Sequence, residues 1–180
     1  MNLVDTRDIA APPSVVWAAL FDPEVLAACV PGCESMTGTP EEGFEAVVVQ
    51  KVGPVKARFT GIVRLSDIVE GESCTLSGEG KGGAAGFAKG AAKLRLEPIE
   101  TGTRLHYEVD ASVGGKLAQL GSRIIDGFAR KMVDEFFARF QAAIEGPADP
   151  AAEAEASDDP PAGSADAPAK KGWIKRLVTR

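Results

Sequence analysis

The sequence predicts an α+β fold: a seven-stranded antiparallel sheet, one long C-terminal helix laid against it, and apolar space between the two. Three observations predict it. From Cys33 to Val113 apolar and polar residues alternate with period two, and turn residues cut the stretch into strands. No helical crossover separates those strands, so neighbours run antiparallel. From Gly114 to Ile144 the period changes. Leu120, Ile124, Phe128, Met132, Phe136, Phe140 and Ile144 recur at every fourth position, with Leu117, Ile125 and Phe137 beside them. That is an amphipathic helix needing a large apolar partner, and the sheet is the partner available.

The elements follow in order. Asn2 to Ala10 reads as a first strand. Pro12-Pro13-Ser14 opens a helix, since proline is tolerated in the first turn, and Val16, Trp17, Leu20 and Phe21 form its apolar face. Asp22-Pro23 breaks it and starts a second short helix, Glu24 to Cys29, which Pro31-Gly32 ends. Strands are expected over 33–39, 43–52, 54–66, 73–82, 86–97 and 102–113. Gly53-Pro54, Glu70-Gly71 and Thr101-Gly102 mark turns between them.

The alternation also says what faces inward. Ala57, Phe59, Gly61, Val63 and Leu65 share one face of their strand, against Lys56, Arg58, Thr60 and Arg64. Leu105, Tyr107, Val109 and Ala111 do the same against Arg104, His106, Glu108 and Asp110. Two adjacent strands carry small residues in this phase: Cys74, Leu76, Gly78, Gly80 and Gly82, then Gly86, Ala88, Gly90, Ala92, Leu94 and Leu96. A filled core would place valine or leucine there. Glycines in phase on an inward face mean either a bulged, tightly packed sheet or a cavity. On the cavity reading the lining comes from Phe59, Gly61, Val63, Gly80, Gly86, Ala88, Gly90, Tyr107 and Val109 on the sheet. Leu117, Leu120, Gly121, Ile124 and Phe128 of the helix region face them. A step of four advances about 40° around a helix of 3.6 residues per turn. The apolar row therefore winds around the axis, so its first half closes the cavity. Phe136, Phe137 and Phe140 turn towards the N-terminal helices or stay partly exposed.

Three regions differ in charge. Residues 1–145 carry 15 Lys+Arg and 20 Asp+Glu; 146–169 carry six acids and no bases; 170–180 carry five bases and no acids. The middle region, with five prolines and no large apolar residue, reads as a disordered linker. The last eleven residues place Trp173, Ile174, Leu177 and Val178 on one helical face, surrounded by Lys170, Lys171, Lys175, Arg176 and Arg180. A short basic amphipathic segment of this kind suits an anionic membrane surface or an acidic groove.

Catalytic chemistry finds little support. His106, the single histidine, lies on the polar side of its strand. Cys29, Cys33 and Cys74 cannot by themselves supply a four-thiolate metal site or a disulfide framework. Gly78-Glu79-Gly80-Lys81-Gly82-Gly83 matches G-x-G-x-x-G, but a strand and not a helix is expected after it, which argues against a dinucleotide site. The net charge of −6 disfavours a general nucleic-acid binder. No apolar run reaches 18 residues and the N-terminus lacks a signal-peptide pattern, so a cytoplasmic location is expected.

The runs Trp17 to Cys33, Val52-Gly-Pro-Val-Lys-Ala-Arg-Phe-Thr-Gly61 and Gly114-Gly-Lys-Leu-Ala-Gln-Leu-Gly-Ser-Arg-Ile-Ile125 resemble the family of the carbon monoxide dehydrogenase G subunit. The resemblance covers residues 1–145. It implies the START-like, helix-grip (SRPBCC) fold, in which a curved antiparallel sheet grips a long C-terminal helix around an apolar cavity. It further implies a non-catalytic accessory protein that recruits a molybdenum hydroxylase of the carbon monoxide dehydrogenase type to the inner face of the cytoplasmic membrane. Such a protein would carry a respiratory quinone, or another lipid or apolar small molecule, in the cavity, with no covalently bound cofactor. The competing expectation is a small cyclase- or aromatase-type enzyme of the same superfamily, which needs titratable groups pointing inward. A docking protein with a filled interior is a third.

Overall fold

A computed structural model of the chain describes residues 1–146; the expected linker and basic segment lie outside them. The strands are β1 (Asn2–Ile9), β2 (Cys33–Thr39), β3 (Gly43–Val52), β4 (Val55–Val69), β5 (Ser73–Lys81), β6 (Phe87–Ile99) and β7 (Gly102–Gly114). The helices are α1 (Pro13–Leu20), α2 (Pro23–Cys29) and α3 (Ser122–Glu145). All seven strands form one sheet in the order β1-β7-β6-β5-β4-β3-β2, every neighbouring pair antiparallel. The chain thus runs β2 to β7 as a meander, and β1 closes the order on β7. No helix among the described residues is long and apolar enough to cross a membrane.

Local chemistry accounts for the helix boundaries. Asp22 accepts hydrogen bonds from the backbone N–H groups of Glu24, at 2.9 Å, and Val25, satisfying donors that the first turn of α2 leaves free. Pro13 and Pro23 occupy first-turn positions where no N–H is needed. The start of α3 differs from the expectation. The apolar spacing predicts helix from Gly114, yet β7 runs through Gly114, and Ala118–Leu120 form a separate 3₁₀ turn. Gly115 and Gly121 both hold positive φ, +71° and +86°, a left-handed backbone that no regular α-helix contains. Two reversals of direction therefore fall where spacing alone suggests continuous helix.

The core lies at one end of α3. Ile9, Val16, Leu20, Cys29, Leu96, Leu105 and Phe140 are buried, and Trp17, Phe21, Val25 and Phe136 pack on them. Phe137 stacks on Tyr107 with ring centroids 5.3 Å apart. The Arg7 guanidinium lies over the Phe137 ring, 5.6 Å from its centroid, and pairs with Asp134 of α3. Farther along, Ala10 N–H donates to Glu145 and Gln141 donates to the Asp8 carbonyl, tying the end of α3 to β1 and the residue after it. The winding of the apolar row is thus realised. Its later members are core, whereas Ile124 is 42% exposed.

The three cysteines are free thiols. Cys29 and Cys74 are buried, and burial pushes the Cys74 thiol up to about 11. At pH 8 roughly one Cys74 thiol in a thousand is then ionised. Only Cys33, half-buried near the surface, is expected to react promptly with Ellman's reagent in the folded protein. The other two should follow on unfolding, and three fast equivalents under native conditions would contradict this burial.

Candidate ligand-binding site

The strand register puts the inward glycines side by side. Gly61 lies opposite Gly80, and Gly78 opposite Gly90. Val63 faces Gly78, Ala88 faces Gly80, and Ala111 faces Gly90. Four glycines and two alanines therefore form one contiguous floor. Period-two pairing makes this unavoidable: cross-strand partners share a face, so small residues in phase on adjacent strands must meet.

Above that floor is a wide-open apolar cavity of about 470 Å³, bordered by Val30, Met36, Ala46, Val48, Phe59, Gly61, Val63, Leu76, Gly78, Gly80, Ala88, Gly90, Ala91, Ala92, Val109 and Ala111, with Glu79 and Lys89 at its edge and no residue of α3 in its wall. Next to it a second cavity, of about 250 Å³, is lined by Val52, Phe59, Ala88, Val113 and Leu117, and by Ile125, Phe128 and Ala129 of α3. Phe59 borders both. No polar atom faces the smaller cavity, although Gln50 contributes to its wall. The Gln50 amide nitrogen donates instead to the Pro31 carbonyl, which holds that side chain in place.

The glycines of the floor differ in what they do. A Cβ placed on Gly80 would meet nothing closer than 3.9 Å, and one on Gly61 nothing closer than 3.4 Å, so at these positions a Cβ would make only ordinary contacts and the backbone does not require glycine. A Cβ on Gly90 would fall 2.5 Å from the Asp110 carbonyl oxygen. Gly90 therefore allows a close strand–strand approach, and it would be required even over a filled core.

Of the residues expected to line the space, Phe59, Gly61, Val63, Gly80, Ala88, Gly90, Val109, Leu117 and Phe128 border one cavity or both. Five others do not. Gly86 has φ +109° and lies against the Gly114 backbone, a turn position and not a strand position. Tyr107 is buried one row away, stacked on Phe137, where burial raises its hydroxyl pKa. Leu120 and Gly121 belong to the turn before α3. Ile124 points outward beside Gly53, and Ile125 takes its place in the wall. Ala46, Val48 and Val52 of β3 line the space without having been expected there. That strand has valines on both faces, at 47 and 49 as well as 48 and 52, which blurs its phase.

His106 lies on the opposite face of the sheet, as its alternation indicates. Its Nε2 is 2.6 Å from a Glu97 carboxylate oxygen, and that contact is the leading cause holding the Glu97 pKa below the usual range. Arg104 and Asp8 pair beside it at 2.7 Å. These four groups form a surface ladder separated from the cavities by the sheet.

A family model for CoxG, the G subunit of carbon monoxide dehydrogenase, matches residues 6–145. No curated protein matches. Among solved structures, a conserved protein from Geobacillus kaustophilus is 30% identical with a TM-score of 0.75, covering 81% of this chain and 95% of that one. A protein from Rhizobium leguminosarum, at 15% identity and TM-score 0.64, covers 82% of this chain and 95% of its own. One from Thermus thermophilus, at 16% and 0.61, covers 83% of this chain and all of its own, 100%. The latter two likenesses establish the fold alone, the helix-grip arrangement of sheet and C-terminal helix.

Proposed function

Because the chain belongs to the CoxG family, we propose that it is a non-catalytic carrier and adaptor. It holds a neutral, apolar molecule between sheet and α3 and brings a molybdenum hydroxylase of the carbon monoxide dehydrogenase type to the cytoplasmic membrane. The observation that carries the ligand reading is the glycine–alanine floor under two adjoining apolar cavities. Burying apolar ligand surface there gains roughly 25 cal/mol per Å². A charged ligand would lose its hydration with nothing to replace it in the smaller cavity. The lining fits the isoprenoid chain of a respiratory quinone or the acyl chain of a lipid.

Membrane recruitment rests on the sequence of residues 170–180. Each basic residue near an anionic leaflet contributes about 1 kcal/mol, so five of them with Trp173 give reversible attachment. The enzyme alternative is not favoured, because the histidine and its carboxylate partner lie across the sheet from the cavities.

The test of the ligand reading is native mass spectrometry of the gently purified full chain, with an organic extract analysed in parallel. One neutral apolar molecule per chain, released by the solvent, is the expected result. A chain that carries nothing and takes up no prenylated quinone from mixed micelles would sink the carrier reading.

A further inference from the structure

The meander sorts charge by strand end. Antiparallel neighbours place the β3–β4, β5–β6 and β7–α3 connections at one end of the sheet and the β2–β3, β4–β5 and β6–β7 turns at the other. The first three connections, residues 51–56, 81–87 and 114–124, contain Lys51, Lys56, Lys81, Lys116 and Arg123, and no Asp or Glu. The second three, residues 39–43, 69–73 and 99–102, contain Glu41, Glu42, Glu70, Glu72 and Glu100, and no Lys or Arg. All ten of these side chains are exposed. The folded domain, acidic in total, is therefore electrically polarised along its strands.

The basic end differs from an ordinary solvated surface in two further ways. It exposes large apolar side chains among bases, Ile124 at 42% and Phe87 at 45%, with Pro54 exposed at the tip of the β3–β4 hairpin; the acidic end also exposes Ile68 and Val69, each at 48%, but among glutamates, so it is the sign of the surrounding charge that separates the two ends. It also holds the smaller apolar cavity, whose walls include Val52 and Leu117 from two of the same connections. The contacts at this end tie the loops together. The Leu117 N–H donates to the Ala85 carbonyl at 3.1 Å, and Ile124 approaches Gly53.

We propose that this end of the folded domain is itself a docking surface for an anionic lipid bilayer, separate from the C-terminal segment. Lys51, Lys56, Lys81, Lys116 and Arg123 meet the headgroups, Ile124, Phe87 and Pro54 enter the interface, and the smaller cavity faces the acyl region. The acidic end is repelled by the same surface, so the field fixes the orientation as well as the attraction. An apolar ligand then passes between bilayer and cavity without crossing water. The inference builds on the membrane-adaptor reading but assigns contact to different residues, and the experiment separates the two.

Full-length chains are sedimented with vesicles of phosphatidylcholine alone and with about 30% phosphatidylglycerol, at low salt, where surface attraction is least screened. A tail variant carries Trp173→Ser with Lys170, Lys171, Lys175, Arg176 and Arg180 changed to Gln. In that background, reversing Lys51, Lys56, Lys81, Lys116 and Arg123 to Glu is expected to lower partitioning onto the anionic vesicles at least ~10-fold. Reversing Arg64, Lys89, Lys93, Arg95 and Arg130 instead, which gives the same net charge, is expected to change it less than ~3-fold. Equal losses from both sets would overturn the proposal, because net charge alone would then govern binding. If the tail variant bound no vesicles while the wild type did, the tail would act alone and the proposal would fall without harming the adaptor reading. If the wild type bound none, both would fall. Retention on heparin without vesicle binding would assign the end to another polyanion and overturn the proposal. Circular dichroism checks that each variant is folded, and Lys→Gln and Arg→Gln versions replace any reversal that is not.

Discussion

Phe140→Ala is expected to lower the free energy of unfolding by about 3–5 kcal/mol, the usual cost of emptying a fully buried aromatic site. Phe140 has 0% exposure and touches the aromatic cluster of Phe136 and Phe137 as well as the α1 side of the core. For a domain of this size the melting temperature should fall by roughly 10 °C, since each kcal/mol is worth about 2–4 °C. Ile124→Ala is the matched control. It sits in the same every-fourth-residue row but is 42% exposed, so it should cost under about 1 kcal/mol. Urea unfolding of the two variants measures the difference. Equal losses would mean that the row does not wind from surface to core along α3.

On the carrier proposal, Gly80→Leu is expected to abolish ligand retention while leaving the fold at least as stable as before. A Cβ at this position makes only ordinary contacts, the nearest at 3.9 Å, and the backbone there is ordinary extended strand, so a side chain can start from this position and project over the floor of the larger cavity. Removing a glycine from a strand gains roughly 0.5–1 kcal/mol in backbone entropy. The co-purifying apolar molecule should fall at least ~10-fold by mass spectrometry, because the substituted side chain occupies its volume and excludes it. Gly90→Ala provides the contrast. Its Cβ would lie 2.5 Å from the Asp110 carbonyl oxygen, so it should destabilise the sheet whatever the ligand does. If Gly80→Leu kept the ligand at wild-type occupancy, the glycine floor would not be the binding surface.

The two glycine variants show how the sequence and the structure divide the information. That Gly61, Gly78, Gly80 and Gly90 face inward is legible from period two alone, because a strand residue's face is fixed by its parity. That Gly61 and Gly80 have room for a Cβ while Gly90 marks a close approach is not legible. The distinction depends on the local separation of neighbouring strands, and no single strand encodes it. The same holds for Tyr107. Its parity puts it inside, but only the position of α3 decides that it stacks on Phe137 instead of lining a cavity.

Element order, antiparallel pairing, the outward placement of His106 and the two-part character of α3 were all determined by the sequence itself. Each follows from local periodicity or local turn chemistry. Tertiary structure decided the rest. It set the start of α3 at Ser122, because Gly115 and Gly121 adopt positive φ where spacing suggests helix. It exchanged Ile124 for Ile125 in the cavity wall, a rotation of one residue fixed by how the helix lies on β1 and β3 and not by its own pattern. It also gathered five bases at one end of the sheet and five glutamates at the other from six connections scattered over residues 39–124. In sequence those charges alternate in short runs and cancel. Only the antiparallel meander, by returning every second turn to the same end, adds them into a field.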